Sequence, residues 1–222
     1  MPDETHARPA NGNAGAPRTY RERPWLLIAF GGIGVAGCAA LIVGTLIAQI
    51  VVPDHDWIAD TISDLAAGRW EIIMDVALYG FAAGLLATAR AASHAHMGKG
   101  GWSVGVASLA SLVTIIGARN EYGDSDRDGV VIHMYLVYAM GAFFLLTCAV
   151  MQSGLRASGH GTAGWTLIAL GAAWAVMCPV FLLSATSVDG LLERILGVIA
   201  CGIVLVPSVV FIQRGLACVK EL

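Results

Sequence analysis

The chain has 222 residues, of which 57% are hydrophobic and 13% charged, with a formal net charge of −3 and a mean hydropathy of +0.71. Soluble domains carry about a quarter charged residues, so a water-soluble globule and a largely disordered chain are both excluded. The 13 Lys+Arg against 16 Asp+Glu leave no basic excess to neutralise phosphates, which argues against a nucleic-acid partner.

Residues 1–24 are polar, without periodicity, and carry Pro2, Pro9, Pro17 and Pro24; they read as a disordered tail. The apolar run behind them is too long for the core of a signal peptide and reads as a retained span. Six spans are expected in all, at about 25–52, 70–92, 102–118, 129–151, 164–185 and 191–213, followed by a short tail over 215–222. Each reaches across a ~30 Å hydrocarbon core at about 1.5 Å per residue, the third at the short limit. The expected fold class is therefore all-α: a polytopic integral membrane protein built as a bundle of six transmembrane helices. Short loops make consecutive helices antiparallel neighbours, and an even number of spans puts both termini on one side.

Nine of the 13 Lys+Arg fall on the side of the termini, among them Arg8, Arg18, Arg21, Arg23, Arg90 and Arg156. By the positive-inside rule this side is cytoplasmic, and the location expected is the bacterial inner membrane. Trp25, Trp102 and Trp165 then mark the inner interface, and Trp57 and Trp70 the outer one. Cys38, Cys148, Cys178, Cys201 and Cys218 show no CxxC spacing and fall in no outer loop, so they read as small apolar packing residues. Pro179 and Pro207 lie inside the fifth and sixth spans, where each kinks the helix or frees a carbonyl. Gly31, Gly32, Gly34 and Gly37 mark the first span for close helix approach, within the bundle or in a homo-oligomer.

The outer side takes 12 of the 16 acidic residues. Asp60, Asp64, Glu71 and Asp75 share an arc of about 60° if helix continues from the first outer loop into the second span; a break at Gly68 would dissolve that stripe. Asp75 lies within the span in either case, where a carboxylate is costly unless it is paired, protonated or turned inward. Two readings follow. One is a polar pocket open to the periplasm, lined by Ser63, Asp64, Asp75, Arg119, His133, Glu193 and Arg194. The other is a set of interhelical ion pairs. A site joining His55 and His133 with a carboxylate is also geometrically open.

The run Asp124-Ser125-Asp126-Arg127-Asp128-Gly129 has the alternating oxygen ligands and the glycine of the first half of an EF-hand loop, but the twelfth position is Tyr135, not Glu. A full EF-hand is excluded. A weaker calcium site on Asp124, Asp126 and Asp128 and a solvated acidic connector remain as readings.

The segment Asp56-Trp57-Ile58-Ala59-Asp60-Thr61-Ile62-Ser63-Asp64-Leu65, placed after a first span, resembles the bacterial and archaeal membrane proteins grouped as domain of unknown function 998. That family carries an Ile-Ser-(Asp/Glu)-Leu signature there and a His at the start of the fourth span, places filled here by Ile62–Leu65 and His133. The resemblance spans about residues 25–214. It departs at Ala66, where the family has Gly, and in the loop before His133, where the Asp124–Gly129 run replaces a Phe-Pro-type turn. It implies the six-span architecture and a role for Ser63, Asp64 and His133, with no assigned activity.

The leading functional expectation is a binding or accessory role, with the outer pocket holding a cation, a lipid headgroup or a segment of a membrane-protein partner. The alternative is a membrane-embedded lipid hydrolase or transferase, with His133 as base or metal ligand, Asp64 or Asp75 supporting it and Ser63 as a further catalytic candidate. In that reading Arg119 or Arg194 would hold an anionic headgroup. A second alternative is proton- or cation-coupled transport through Asp75 and Glu193.

Overall fold

The computed structural model describes residues 22–66, 68–97, 101–118, 132–184 and 186–220, without the side chains of 132–134 and 186. Residues 1–21 of the expected tail, Arg119 and the Asp124–Asp128 calcium candidates lie outside the described residues.

Among the described residues seven α-helices follow in order: α1 (Pro24–Val51), α2 (Ile62–Leu65), α3 (Glu71–His94), α4 (Gly101–Ala118), α5 (Ile132–Ala157), α6 (Gly161–Leu183) and α7 (Asp189–Lys220). All except α2 belong to the six stretches long and apolar enough to cross a membrane, as the hydropathy pattern requires. The fourth and the last differ most in extent from expectation. Helix α5 continues to Ala157, and α7 continues to Lys220, so most of the residues read as a C-terminal tail are helical. At 32 residues α7 is about 48 Å long, well beyond a ~30 Å core.

Pairing of α1 with α3, α3 with α4, α4 with α5, α5 with α6, α6 with α7 and α7 with α1 makes a ring of six helices. One side of that ring is much tighter than the other. Where α1 meets α7 and α3, backbones approach at glycines: a Cβ on Gly31 would stand 2.6 Å from the Ser208 carbonyl oxygen, and one on Gly37 would stand 2.6 Å from that of Gly80. A Cβ on Gly34 would collide with Ser208 Oγ. Ser208 Oγ donates to the Val204 carbonyl (2.7 Å), Thr88 Oγ1 donates to that of Gly84 (2.9 Å), and the two hydroxyls lie 3.2 Å apart. Small residues and internally bonded hydroxyls let helices pack closely where apolar burial supplies no driving force. Gly32 differs from the other three in facing open space.

Cys38 and Cys201 face one another across α1 and α7, the Cys38 thiol donating to the Cys201 carbonyl at 3.5 Å, and both are buried in the packing. Pro179 and Pro207 are accommodated within continuous helices. Trp102 corrects the interface assignment. It is fully buried, its ring centroid 6.0 Å from that of Phe211, because α4 turns this position toward α7 and not toward the headgroups. Trp25, Trp57, Trp70 and Trp165 are exposed.

At the end of the ring where α1 starts and α7 ends, Arg214 grips Glu22 with two hydrogen bonds (Nε to Oε2 2.9 Å, Nη2 to Oε1 2.5 Å). The Arg23 backbone N–H donates to His94 Nε2 at 2.8 Å. These contacts fasten the start of α1 to α7 and α3. At the opposite end, the 52–70 segment folds back over the ring.

Candidate functional site

The 52–70 segment is organised by its own carboxylates. Asp56 Oδ1 accepts from the N–H groups of Ile58 (2.9 Å) and Ala59 (3.4 Å), and Asp60 Oδ2 accepts from the Asp56 N–H at 2.8 Å. Thr61 then starts α2 with a capping box. Asp64 N–H donates to Thr61 Oγ1 (3.1 Å), while Asp64 Oδ2 accepts from the Thr61 N–H (2.7 Å) and hydroxyl (2.8 Å). Reciprocal bonding of this kind satisfies donors that a four-residue helix would otherwise strand. After Ala66 the helix cannot continue: Gly68 stands at φ +75°, and a single 3-10 turn over Gly68–Trp70 leads into α3. The acidic stripe therefore divides, with Asp60 and Asp64 in the loop and α2, and Glu71 and Asp75 on α3.

Two consecutive residues of α7 hold this segment. Glu193 Oε2 accepts from the Ile62 N–H at 2.5 Å, and the carboxyl also accepts from the Ser63 N–H. Arg194 turns the other way. Its Nη1 donates to the carbonyls of Asp60 (2.8 Å) and Gly190 (2.7 Å), and its Nη2 contacts His55 Nε2 at 2.8 Å. With its amide oriented oxygen-first, as the guanidinium donors require, Gln49 accepts from Arg194 Nη2 at 2.8 Å. Backbone bonds complete the dock, from Gly190 N–H to the Ala59 carbonyl (3.2 Å) and from Leu191 N–H to that of Ile58 (3.0 Å). A Cβ on Gly190 would collide with the Asp60 carbonyl, so this close approach requires glycine.

The His55 side chain is almost wholly buried, with Nδ1 3.6 Å from Asp60 Oδ2. Since Nε2 accepts from Arg194, the ring is neutral with its proton on Nδ1. Burial, reinforced by the Arg194 charge, lowers its pKa below the ordinary 6.5 against the opposing pull of Asp60, Asp64 and Asp56. Unfolding releases this restraint, so the unfolded chain binds the proton more readily and stability falls as pH drops below 6.5. We expect a melting temperature that is flat above that pH and declines below it, and a flatter profile for His55→Gln, which keeps an acceptor for Arg194. Equal slopes for the two proteins in thermal melts would contradict the assignment.

Beneath α2 the ring encloses a cavity of about 130 Å³. Its wall is apolar, with Leu41, Phe81, Val113, Phe144, Trp174 and Ala200 contributed by six different helices. The Trp174 indole N–H is spent on the Gly141 carbonyl (3.0 Å), and its ring lies 4.6 Å from that of Phe144. Among the described residues, the polar side chains on the wall besides the Cys178 thiol are Ser63 and Glu193, both at the α2 end. Lining positions on α5 (Val137 to Phe144), α6 (Trp174 to Phe181) and α7 (Glu193 to Ala200) each span eight residues, a depth of about 10 Å along the helices.

Of the polar lining expected from sequence, Ser63 and Glu193 border the cavity. Asp64 is engaged in capping Thr61, and Arg194 points to Gln49, His55 and Asp60. Asp75 is half-buried on α3, where its electrostatic neighbour is Glu71 one turn earlier. His133 belongs to the first turn of α5, one turn before Val137; its side chain is outside the described residues. Thr61, Gln49 and the docking role of His55 were not anticipated, although Thr61-x-x-Asp64 carries a readable capping pattern. Among the described residues, no group of three or more His, Cys, Asp or Glu is placed to hold a metal ion.

The signature tetrapeptide thus has a physical meaning. Ile62 and Ser63 offer their N–H groups to Glu193, Ser63 borders the cavity, Asp64 closes the capping box and Leu65 is fully buried. No curated protein and no solved structure matches the chain. The profile of the DUF998 family, described as proteins of unknown function, matches residues 35–210, from the middle of α1 to the last third of α7. The chain belongs to the DUF998 family.

Proposed function

We propose that this protein is a binding protein for a membrane lipid, taking one apolar chain into the ring beneath α2. The observation that carries the reading is the cavity itself: an apolar chamber inside a transmembrane bundle, bordered at one end by a short helix and two polar side chains. Pockets of this composition suit ligands that are mostly hydrocarbon with a few oriented polar atoms. The charge distribution supports an inner-membrane orientation with both termini cytoplasmic, which turns α2 and its acidic loop toward the periplasm. An accessory role beside another membrane protein is compatible with the same site, the lipid then serving as cargo or as a structural ligand.

The test is photolabelling in nanodiscs with a lipid carrying a diazirine in its chain. Adducts are expected on Met140, Phe144 or Trp174 from inside the ring. Gly197 borders the cavity, and a Cβ there would have only ordinary contact, 3.8 Å from Ile62 Cδ1. Gly197→Phe should therefore fill the chamber, and we expect it to reduce internal labelling about tenfold while labelling of outward residues such as Leu146 and Val198 persists. Labels confined to the outward residues in the wild type would defeat the proposal.

A further inference from the structure

We infer that the polar end of the occupant is a hydrogen-bond donor without negative charge, an alcohol or an amine, and that lipids with an anionic polar end are rejected. The inference rests on the lipid-binding reading and deepens it. In a membrane, exchanging bilayer for an apolar protein wall is nearly neutral for a hydrocarbon chain, because lipid tails are as apolar as leucine. Tail burial therefore cannot select one lipid from the surrounding sea of lipids. Selection falls to the polar atoms the cavity presents, and these stand together at the α2 end.

Glu193 dominates that end. Its carboxyl accepts the Ile62 and Ser63 N–H groups, and a carboxylate has about four lone-pair sites, so it can accept further donors. Among the described residues it is the one charged side chain on the cavity wall. The adjacent cation, Arg194, does not border the cavity and is held by the carbonyls of Asp60 and Gly190, by His55 and by Gln49. The next charged group to act on Glu193 is Asp64, a second carboxylate. A phosphate or carboxylate entering here would share a low-dielectric site with the Glu193 carboxyl, where two negative charges are weakly screened and one of the two acids must hold a proton. A hydroxyl or ammonium would be bonded. Ser63, beside Glu193 on the wall, can either donate or accept and so does not discriminate.

Three probes with the same diazirine-bearing chain decide the matter: a long-chain alcohol, the corresponding amine and the corresponding alkyl phosphate. In wild-type nanodiscs, labelling inside the ring by the alcohol and the amine should exceed that by the phosphate about tenfold or more. E193Q keeps the shape of the side chain, adds donors and removes the charge, and should reduce that ratio to about twofold or less. Should E193Q fail to fold, the wild-type ratio stands as the deciding measurement. Equal capture of phosphate and alcohol, still blocked by Gly197→Phe, would overturn the inference while leaving the cavity reading intact. Absence of internal labelling by all three would overturn the cavity reading and this inference with it. An unchanged ratio in a folded E193Q would show that Glu193 is not the selector and would also overturn it.

Discussion

Arg194→Met is expected to destabilise the protein by about 3 kcal/mol, measured as the shift in SDS-induced unfolding of purified protein. The guanidinium serves four acceptors at once: the carbonyls of Asp60 and Gly190, His55 Nε2 and the Gln49 amide. Methionine approximates its length but leaves these acceptors without their donor, in a region where His55 is almost wholly buried. An unpaired buried polar group costs about 1–3 kcal/mol, and Gly190 loses least because its carbonyl lies in the first turn of α7. Arg194→Lys should recover only part of the loss, since one ammonium cannot reproduce a planar fork of five donors. A change within about 0.5 kcal/mol for Arg194→Met would show that water already serves these acceptors. The consequence should extend beyond stability, because Arg194 anchors the segment that carries α2. Loosening it should raise proteolysis between Val52 and Thr61.

Gly34→Leu should be at least as damaging, costing about 3 kcal/mol or preventing assembly of the bundle. A Cβ alone at this position collides with Ser208 Oγ and comes within 3.0 Å of Thr88 Oγ1, and both partners are buried. Neither hydroxyl is free to swing aside, as each is bonded to the carbonyl four residues before it. Relief requires α1 to separate from α3 and α7 together, which would also open the contacts at Gly31 and Gly37. Gly32→Ala is the internal control. Its Cβ would meet nothing within 4 Å, so it should alter stability by no more than about 0.5 kcal/mol. Comparable losses at both positions would overturn the assignment to interhelical contact, since helix propensity by itself favours Ala and Leu over Gly.

The polar end was legible in parts. The Thr61-x-x-Asp64 spacing encodes the capping box locally, and Gly68 encodes the break that separates α2 from α3. Glu193 and Arg194 were visible as outer-level charges on the last span. Their opposite assignments, one to the α2 amides and cavity and the other to His55 and the loop carbonyls, were not. Adjacent residues on a helix are about 100° apart, so they face different surroundings, and which surroundings depends on how α7 is rotated against its neighbours. The expected polar pocket grouped both residues with Asp64 and Asp75 because depth along the membrane was the coordinate that sequence supplied.

Sequence alone determined the class and the number of spans. Hydrocarbon admits only segments that satisfy their own backbone, and 18 or more apolar residues announce such a segment without reference to anything else in the chain. It also marked Gly31, Gly32, Gly34 and Gly37 for close approach, and the packing decided that all but Gly32 meet a neighbouring helix. Tertiary structure alone decided that the six helices close into a ring, that Trp102 turns inward, and that a chamber lies beneath α2 with Glu193 at its rim. The Ile62–Glu193 bond joins residues 131 apart and depends on backbone N–H groups that nearly every residue possesses. The low charged fraction thus identified the membrane, and the packing of seven helices placed one of those few charges at the edge of an apolar space.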